Sequence, residues 1–517
     1  MPIRTQVIKS SYQDSVVLMR LAGEVRAWPG VREAAAFMGT PANHVLLEQI
    51  GLASEGSRTA RPDDLILVVD ATTDAEAEAA LAAARDRLAA RRQEVAQTAE
   101  VRPRTLVSAL RILPRANLAA ISVPGAYAQF EAMRALKRGL HVFLFSDNVP
   151  LADEIALKDQ ALRQRRLCMG PDCGTAYLNG TGLGFANVVP RGRVGLVAAS
   201  GTGLQAVACR LATLGEGISH GIGVGGRDLS AEVAGRMTHF ALEALAADRA
   251  TEVLVLISKP PHPQVLPRLE AALARIPKPV VVCCLGAPAR RQGGVRWVET
   301  LDGAAEAAAA TARGANWAPR PFRDPGAVAA RLAQLRARAV RVGPDILGLF
   351  SGGTLAYEAR LILESLLGPV ASSESPHPDS QGHRILDLGE DRYTVGRPHP
   401  MLDPLLRTER ILQARRPPRM GVLLLDLVLG RGAHPNPAEP IVRAWRQALA
   451  AAEAEGRSVV AVASVVGTPL DPQGLERQVA QLAQAGVEVL PSSAEAARFA
   501  ALLVRPGLDA RCLEGGP

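Results

Sequence analysis

Two stretches of this chain follow one plan: an apolar strand, a turn of glycine with Ser and Thr, and a helical pattern. They are LVAASGTGLQAVACRL at residues 196–211 and LFSGGTLAYEARLI at 349–362. A strand that reads as a continuous apolar run is buried on both faces, which calls for a parallel sheet with helices on each side. Apolar runs of this kind alternate with helical patterns along much of the sequence, as in NLAAISVPG, HVFLFSD, EVLVLISK, KPVVVCCLG, RMGVLLLDLVLG and RSVVAVAS. The expected fold class is α/β, with several parallel-sheet domains of Rossmann-like or flavodoxin-like kind.

Four units are expected along the chain: a small α/β domain at 1–100, a Rossmann-like domain at 101–190, a third unit at 191–335 and a flavodoxin-like fourth at 336–517. The charged connector RRQEVAQTAEVRPR closes the first unit. Within it, Thr40-Pro41 suits a helix start, with the hydroxyl capping and the proline at the first helical position. The third and fourth units each contain one of the two quoted turns, which predicts a duplicated architecture.

Composition narrows the partners. Hydrophobic residues make up 48% of the chain and aromatic residues only 3%, so the cores are aliphatic and aromatic platforms for single-stranded nucleic acid are not expected. The net charge of +8 favours small anionic substrates. The opening MPIRTQVIKSSYQ has no apolar signal core, and nowhere do 18 apolar residues run together, so no membrane partner and a cytoplasmic setting are expected. The six cysteines have neither CxxC spacing nor a disulfide framework, and no metal site is predicted. Asp387, Asp391 and Asp426 are weak candidates for a Mg2+ ion.

At a helix amino end the first backbone N–H groups lack partners and carry partial positive charge. Glycine lets the backbone close on an anion, and Ser or Thr adds a hydroxyl. Ser200, Gly201, Thr202 and Gly203 meet these needs, as do Ser351, Gly352, Gly353 and Thr354. One such turn is commonplace in α/β proteins, but two facing each other make a site for one phosphate or acyl phosphate. Further candidates lie at predicted strand ends. Lys259 in SKPP offers a cation or is an exposed loop lysine. Gly226, Arg227 and Asp228 in GGRDLS offer a fork for an anion or a salt bridge. His220 and His399, the latter beside Arg397, are candidate acids or bases or structural histidines. Asp172, Cys173, Gly174 and Thr175 in MGPDCGT read as a substrate-positioning loop.

The segment RGRVGLVAASGTGLQAVACRLATLGEGISHGIGVGGRDLS resembles the ligase domain of the succinyl-CoA synthetase α subunit. Together with MGTPAN, SDNVPLADEIALK, MGPDCGTA, ISKPP, SGGTLAYEA and DLGEDRYTVGRPHPMLDP, it is similar to the FdrA family of acyl-CoA synthetase-like proteins. The resemblance implies an α-subunit-like part fused to a unit like the carboxy-terminal domain of the β subunit, with no ATP-grasp domain. It also implies other subunits or self-association. Two departures stand out. The ligase carries a nucleophilic histidine after the strand matching PVVVCCLG, where this chain reads APARRQGGVRWVET. The ligase also has a glycine-rich CoA loop, where this chain reads PRTLVSALRILP. The expected function is therefore transfer from an acyl phosphate, with carbamoyl transfer between carbamoyl phosphate and oxamate in allantoin breakdown as the family-implied case. An NDP-forming acyl-CoA synthetase and a non-catalytic phosphate-binding subunit are the alternatives. CoA and Mg2+ are the cofactors left open.

Overall fold

The computed structural model describes residues 3–11, 13, 15–97, 103–338, 342–373, 382–394, 398–413, 419–508 and 513. The chain forms two compact units: residues 1–112, together with 394–398, and the remainder.

In the first unit three antiparallel strands lie in the order Ile3–Ile8, Leu65–Ala71, Val31–Met38. The central strand is buried on both faces, which explains its unbroken apolar run. Leu65, Leu67 and Val69 meet Leu18, Leu21, Ala77 and Ala80 of the two long helices, while Ile66 and Val68 meet Leu47 and Leu52. Thr40 caps the helix Pro41–Gln49 as the sequence predicts, accepting from the Asn43 amide at 3.4 Å.

The second unit holds three sheets. A small parallel one has the order Leu118–Ile121, His141–Leu144, Cys168–Met169. The hairpin Thr175–Leu178 and Thr181–Gly184, expected with this unit, instead joins the next sheet, where Tyr177 pairs with Gly221. That sheet has eight strands, with Arg191–Ala198 between Ile218–Gly223 and Val253–Ser258. The third sheet is parallel throughout and has six strands, with Asp345–Phe350 between Arg384–Asp387 and Met420–Val428.

In both larger sheets the chain leaves a central strand toward one side and later returns on the other. The loop after that strand is the switch point where open α/β sheets gather ligands. The Ser200 turn and the Ser351 turn occupy those two positions. Their helices, Gly201–Thr213 and Gly353–Leu367, dock through Leu204, Val207, Leu211, Leu355, Ala359 and Leu363, each fully buried. One apolar core joins the two sheets, running from Tyr177 to Leu503. Among the described residues no helix is long and apolar enough to cross a membrane.

Candidate functional site

The two turns meet. Ser200 caps its own helix, accepting from the Gly203 amide at 2.9 Å, and its hydroxyl lies 2.5 Å from the Thr354 hydroxyl. A β-carbon on Gly203 would come within 2.6 Å of the Ser200 hydroxyl and 3.2 Å of the Thr354 methyl, so the approach depends on glycine. The capping leaves the Gly201 and Thr202 amides at the open end of the first helix.

The second turn is wired differently. No side chain of its own caps the helix Gly353–Leu367. The amides of Ser351 and Gly352 each donate at 2.8 Å to the carboxylate of Asp426, and the Ser351 hydroxyl donates to the same group. Asp426 is fully buried in the strand Met420–Val428 and pairs with Arg407, whose Nη2 is 2.7 Å away and whose Nη1 donates to the Asp426 carbonyl. Burial pulls the Arg407 guanidinium below its ordinary value, and Asp426 pulls it back up. Ser351 and Gly352 therefore do not fit as phosphate binders: their donors are spent on a built-in carboxylate. Gly353 and Thr354 keep amides at the helix end.

Asp387, which ends the strand Arg384–Asp387, presses its carboxylate against this helix end. A β-carbon on Gly353 would lie 2.3 Å from Asp387 Oδ2. Oδ1 accepts from the Gly389 amide at 2.9 Å. Burial is the main force on the acid and pushes it up to about 7, with Glu390 and Asp426 adding to the rise and Gly389 and Lys259 opposing it. Lys259, exposed just past the strand Val253–Ser258, has its ammonium 5.4 Å from the ring of Tyr357 on the same helix. It therefore stands on the rim of the Ser351 turn.

Other expected site residues are engaged elsewhere. Asp228 is buried, holding Lys158 at 2.7 Å and capping the helix Arg236–Ala247 through the Met237 and Thr238 amides. Arg227 pairs with Glu154 at 2.9 Å and donates to the Val149 carbonyl. Both thus fasten the GGRDLS loop rather than offering free groups; Gly226 is exposed with open space around it. His220 lies in the first half of its strand, away from the carboxyl edge, accepting from the Asn179 amide and facing Asp248. Cys173 is buried with its thiol pushed up to about 12, which removes it as a nucleophile. Gly174 and Thr175 line the base of the Ser200 turn, with the Thr175 hydroxyl 3.4 Å from where a Gly201 β-carbon would sit, but that hydroxyl is donated to the Phe185 carbonyl. Asp172 is exposed on a left-handed backbone.

His399 sits against the Phe185 ring and accepts from the Met401 amide, and burial drives it down to about 4. It is neutral at pH 7 and too weak a base for the acid–base role its usual value suggested. Arg397 lies outside the described residues, as does the side chain of Asp391. Among the described residues no group of three or more His, Cys, Asp or Glu could hold a metal ion, and Asp426 is already paired, so the Mg2+ expectation gains no site.

Residues 349–503 match the CoA-ligase family model, and residues 1–103 match the model described as AllF, heavy metal-associated domain. That first segment contains no cysteine and a single histidine, His44, whose ring nitrogen bonds the Ala60 carbonyl, so its residues do not make a thiolate metal site. A stretch of 151 residues is 28% identical to the succinate–CoA ligase [ADP-forming] α subunit of Aquifex aeolicus, covering 28% of this chain and 48% of that subunit, about half its length. Among solved structures, the dinucleotide forming acetyl-coenzyme A synthetase 1 of Ca. Korarchaeum cryptofilum aligns over 78% of this chain and 85% of its own, at 15% identity and a TM-score of 0.27. The uncharacterized protein YahF of Escherichia coli K12 is 37% identical over 99% of this chain and its own entire length. With that relative matched from end to end and a CoA-ligase domain at its carboxyl half, the chain belongs to the FdrA-like family.

Proposed function

We propose that the paired turns hold the phosphate of an acyl phosphate and that the protein transfers its acyl group to a small acceptor. In the form favoured here, a carbamoyl group passes between carbamoyl phosphate and the amide of oxamate. The observation that carries this reading is the meeting of two helix amino ends, one from each switch point, at the Ser200–Thr354 hydroxyl contact. Gly201, Thr202, Gly353 and Thr354 supply backbone donors, and Lys259 supplies a cation on the same rim. Preorganised donors of this kind stabilise the phosphate as it leaves, which is the larger part of the work in such a transfer. The segment from Leu285 to Thr300 has no histidine, so no phosphohistidine relay forms there and the phosphate arrives already bonded to the acyl group.

The CoA-ligase match favours a second reading, in which an acyl-CoA is made with the help of a nucleotide-binding partner chain. The test is phosphate release by the protein, alone and with the products of neighbouring genes, from carbamoyl phosphate plus oxamate or from CoA, ATP and a carboxylic acid. Oxamate-dependent release supports the first reading. Acyl-CoA formation without carbamoyl transfer overturns it, and bound phosphate with no turnover in either mixture marks a regulatory subunit.

A further inference from the structure

We infer that Asp387 takes the proton from the acceptor as it attacks, and that the acceptor is a nucleophile which must shed an N–H proton, such as an amide. The inference rests on the acyl-phosphate reading and extends it to a group that reading leaves unused.

The geometry is specific. Asp387 terminates a strand beside the Ser351 switch point, and its backbone amide is fixed by the Ser373 hydroxyl at 2.7 Å. Oδ1 is held by Gly389, while Oδ2 accepts no hydrogen bond among the described residues and abuts Gly353, the first residue of the phosphate-facing helix. Glycine at that position is what lets the carboxylate come so close. A carboxyl group with one oxygen anchored and the other without a hydrogen bond among the described residues, beside the end of an anion-holding helix, is oriented without being neutralised.

Among the described residues, the charged and titratable groups facing it come from several neighbouring elements. Lys259 approaches from the strand end, Asp426 from the strand on the far side of Asp345–Phe350 and Glu390 from the following loop. His399, from the segment beyond, brings Nε2 to 2.7 Å from where a Gly389 β-carbon would be and stays neutral. Asp426 is charge-balanced by Arg407, so it cannot serve as the base. The balance of burial and charges leaves Asp387 near neutrality, where it can both gain and lose a proton.

In the step, the acceptor nitrogen forms a bond to the acyl carbon, and the carbon–oxygen bond to phosphate breaks. The electron pair leaves with the phosphate, held by the helix amides and Lys259. The nitrogen's proton passes to Asp387 Oδ2 and then to solvent.

The experiment compares wild-type protein, alone and with the products of neighbouring genes, against Asp387→Asn and Asp387→Glu. It follows carbamoyl phosphate plus oxamate turnover from pH 5 to 9 and, separately, the binding of inorganic phosphate by calorimetry. The wild-type kcat is expected to rise with pH to a plateau above about 7, since the base must be ionised. Asp387→Asn is expected to lose roughly 10²–10⁴-fold in kcat and its pH inflection, while phosphate affinity changes by less than about threefold and Asp387→Glu recovers part of the rate. If Asp387→Asn keeps the wild-type rate or inflection while the wild type turns over, this inference falls and the acyl-phosphate reading stands. If the wild type does not turn over oxamate at all, both fall.

Discussion

The Ser200 turn and the Ser351 turn share a strand, glycines, a hydroxyl and a helix, yet they are built on opposite logics. The first is closed on itself: Ser200 caps the helix it precedes. The second has no cap of its own and borrows a carboxylate from Asp426, which in turn needs Arg407. The two turns share a backbone role, while the electrostatics of the second come from residues far away in sequence. In the transfer proposed above, the self-contained turn is the fixed phosphate cradle. The borrowed one, flanked by Asp387 and Lys259, is where proton and charge chemistry can be tuned.

The largest expected break in this comparison comes from Arg407→Met, which strands the buried Asp426 charge. It should cost about 3–5 kcal/mol in urea unfolding, and adding Asp426→Asn should recover a substantial part of that loss. Among the described residues no buried charge holds the backbone of the Ser200 turn. Next is the pH dependence of Asp387. Its folded value, about 7, lies above the unfolded value near 3.8, so its contribution to stability is complete below about pH 4 and is lost as the pH rises through 7. Asp387→Asn should therefore match the wild type near pH 4 and exceed it at pH 8 by on the order of 2–4 kcal/mol, read as a flatter plot of melting temperature against pH.

Gly353→Ala sets a β-carbon 2.3 Å from the Asp387 carboxylate and should cost about 1–3 kcal/mol while weakening phosphate binding at least tenfold in calorimetry. Gly226→Ala, with open space around it, is the silent control. The smallest effect is expected from Ser200→Ala, which removes a cap and should lose about 1 kcal/mol. Combined with Thr354→Val, a double-mutant cycle should give a coupling of roughly 0.5 kcal/mol or more. Strict additivity would mean that the two turns do not sense each other.

Much of the frame was legible in the sequence because it rests on local signals. Continuous apolar runs revealed the parallel strands, and a hydroxyl followed by glycines and an apolar stripe located both helices. The wiring of the second turn was not legible, because it depends on which distant side chains the fold brings together. Asp426 did carry a signal: a lone acid in the run MGVLLLDLVLG must be buried, and a buried charge needs a partner. Arg407 carried none, sitting in a short helix beside a second arginine, Arg410. GGRDLS misled for a related reason, since Arg227 and Asp228 suit an anion fork by type but are used by Glu154 and Lys158 of a helix some 70 residues earlier. The hairpin at 175–184 could not be assigned to its sheet, because strand partners are set by packing and not by periodicity.

The apolar core that joins the two larger sheets has a consequence in time. It includes Tyr177 at one end and Phe499 to Leu503 at the other, so residues made early on the ribosome wait for residues made late. The Ser200 cradle can form its own cap as soon as its helix emerges. Its partner hydroxyl, the sheet behind that partner and the helix that seals the shared core all arrive later. During synthesis the first of the two sheets therefore keeps an aliphatic face exposed until the second sheet and the helix Ser493–Val504 have emerged to cover it.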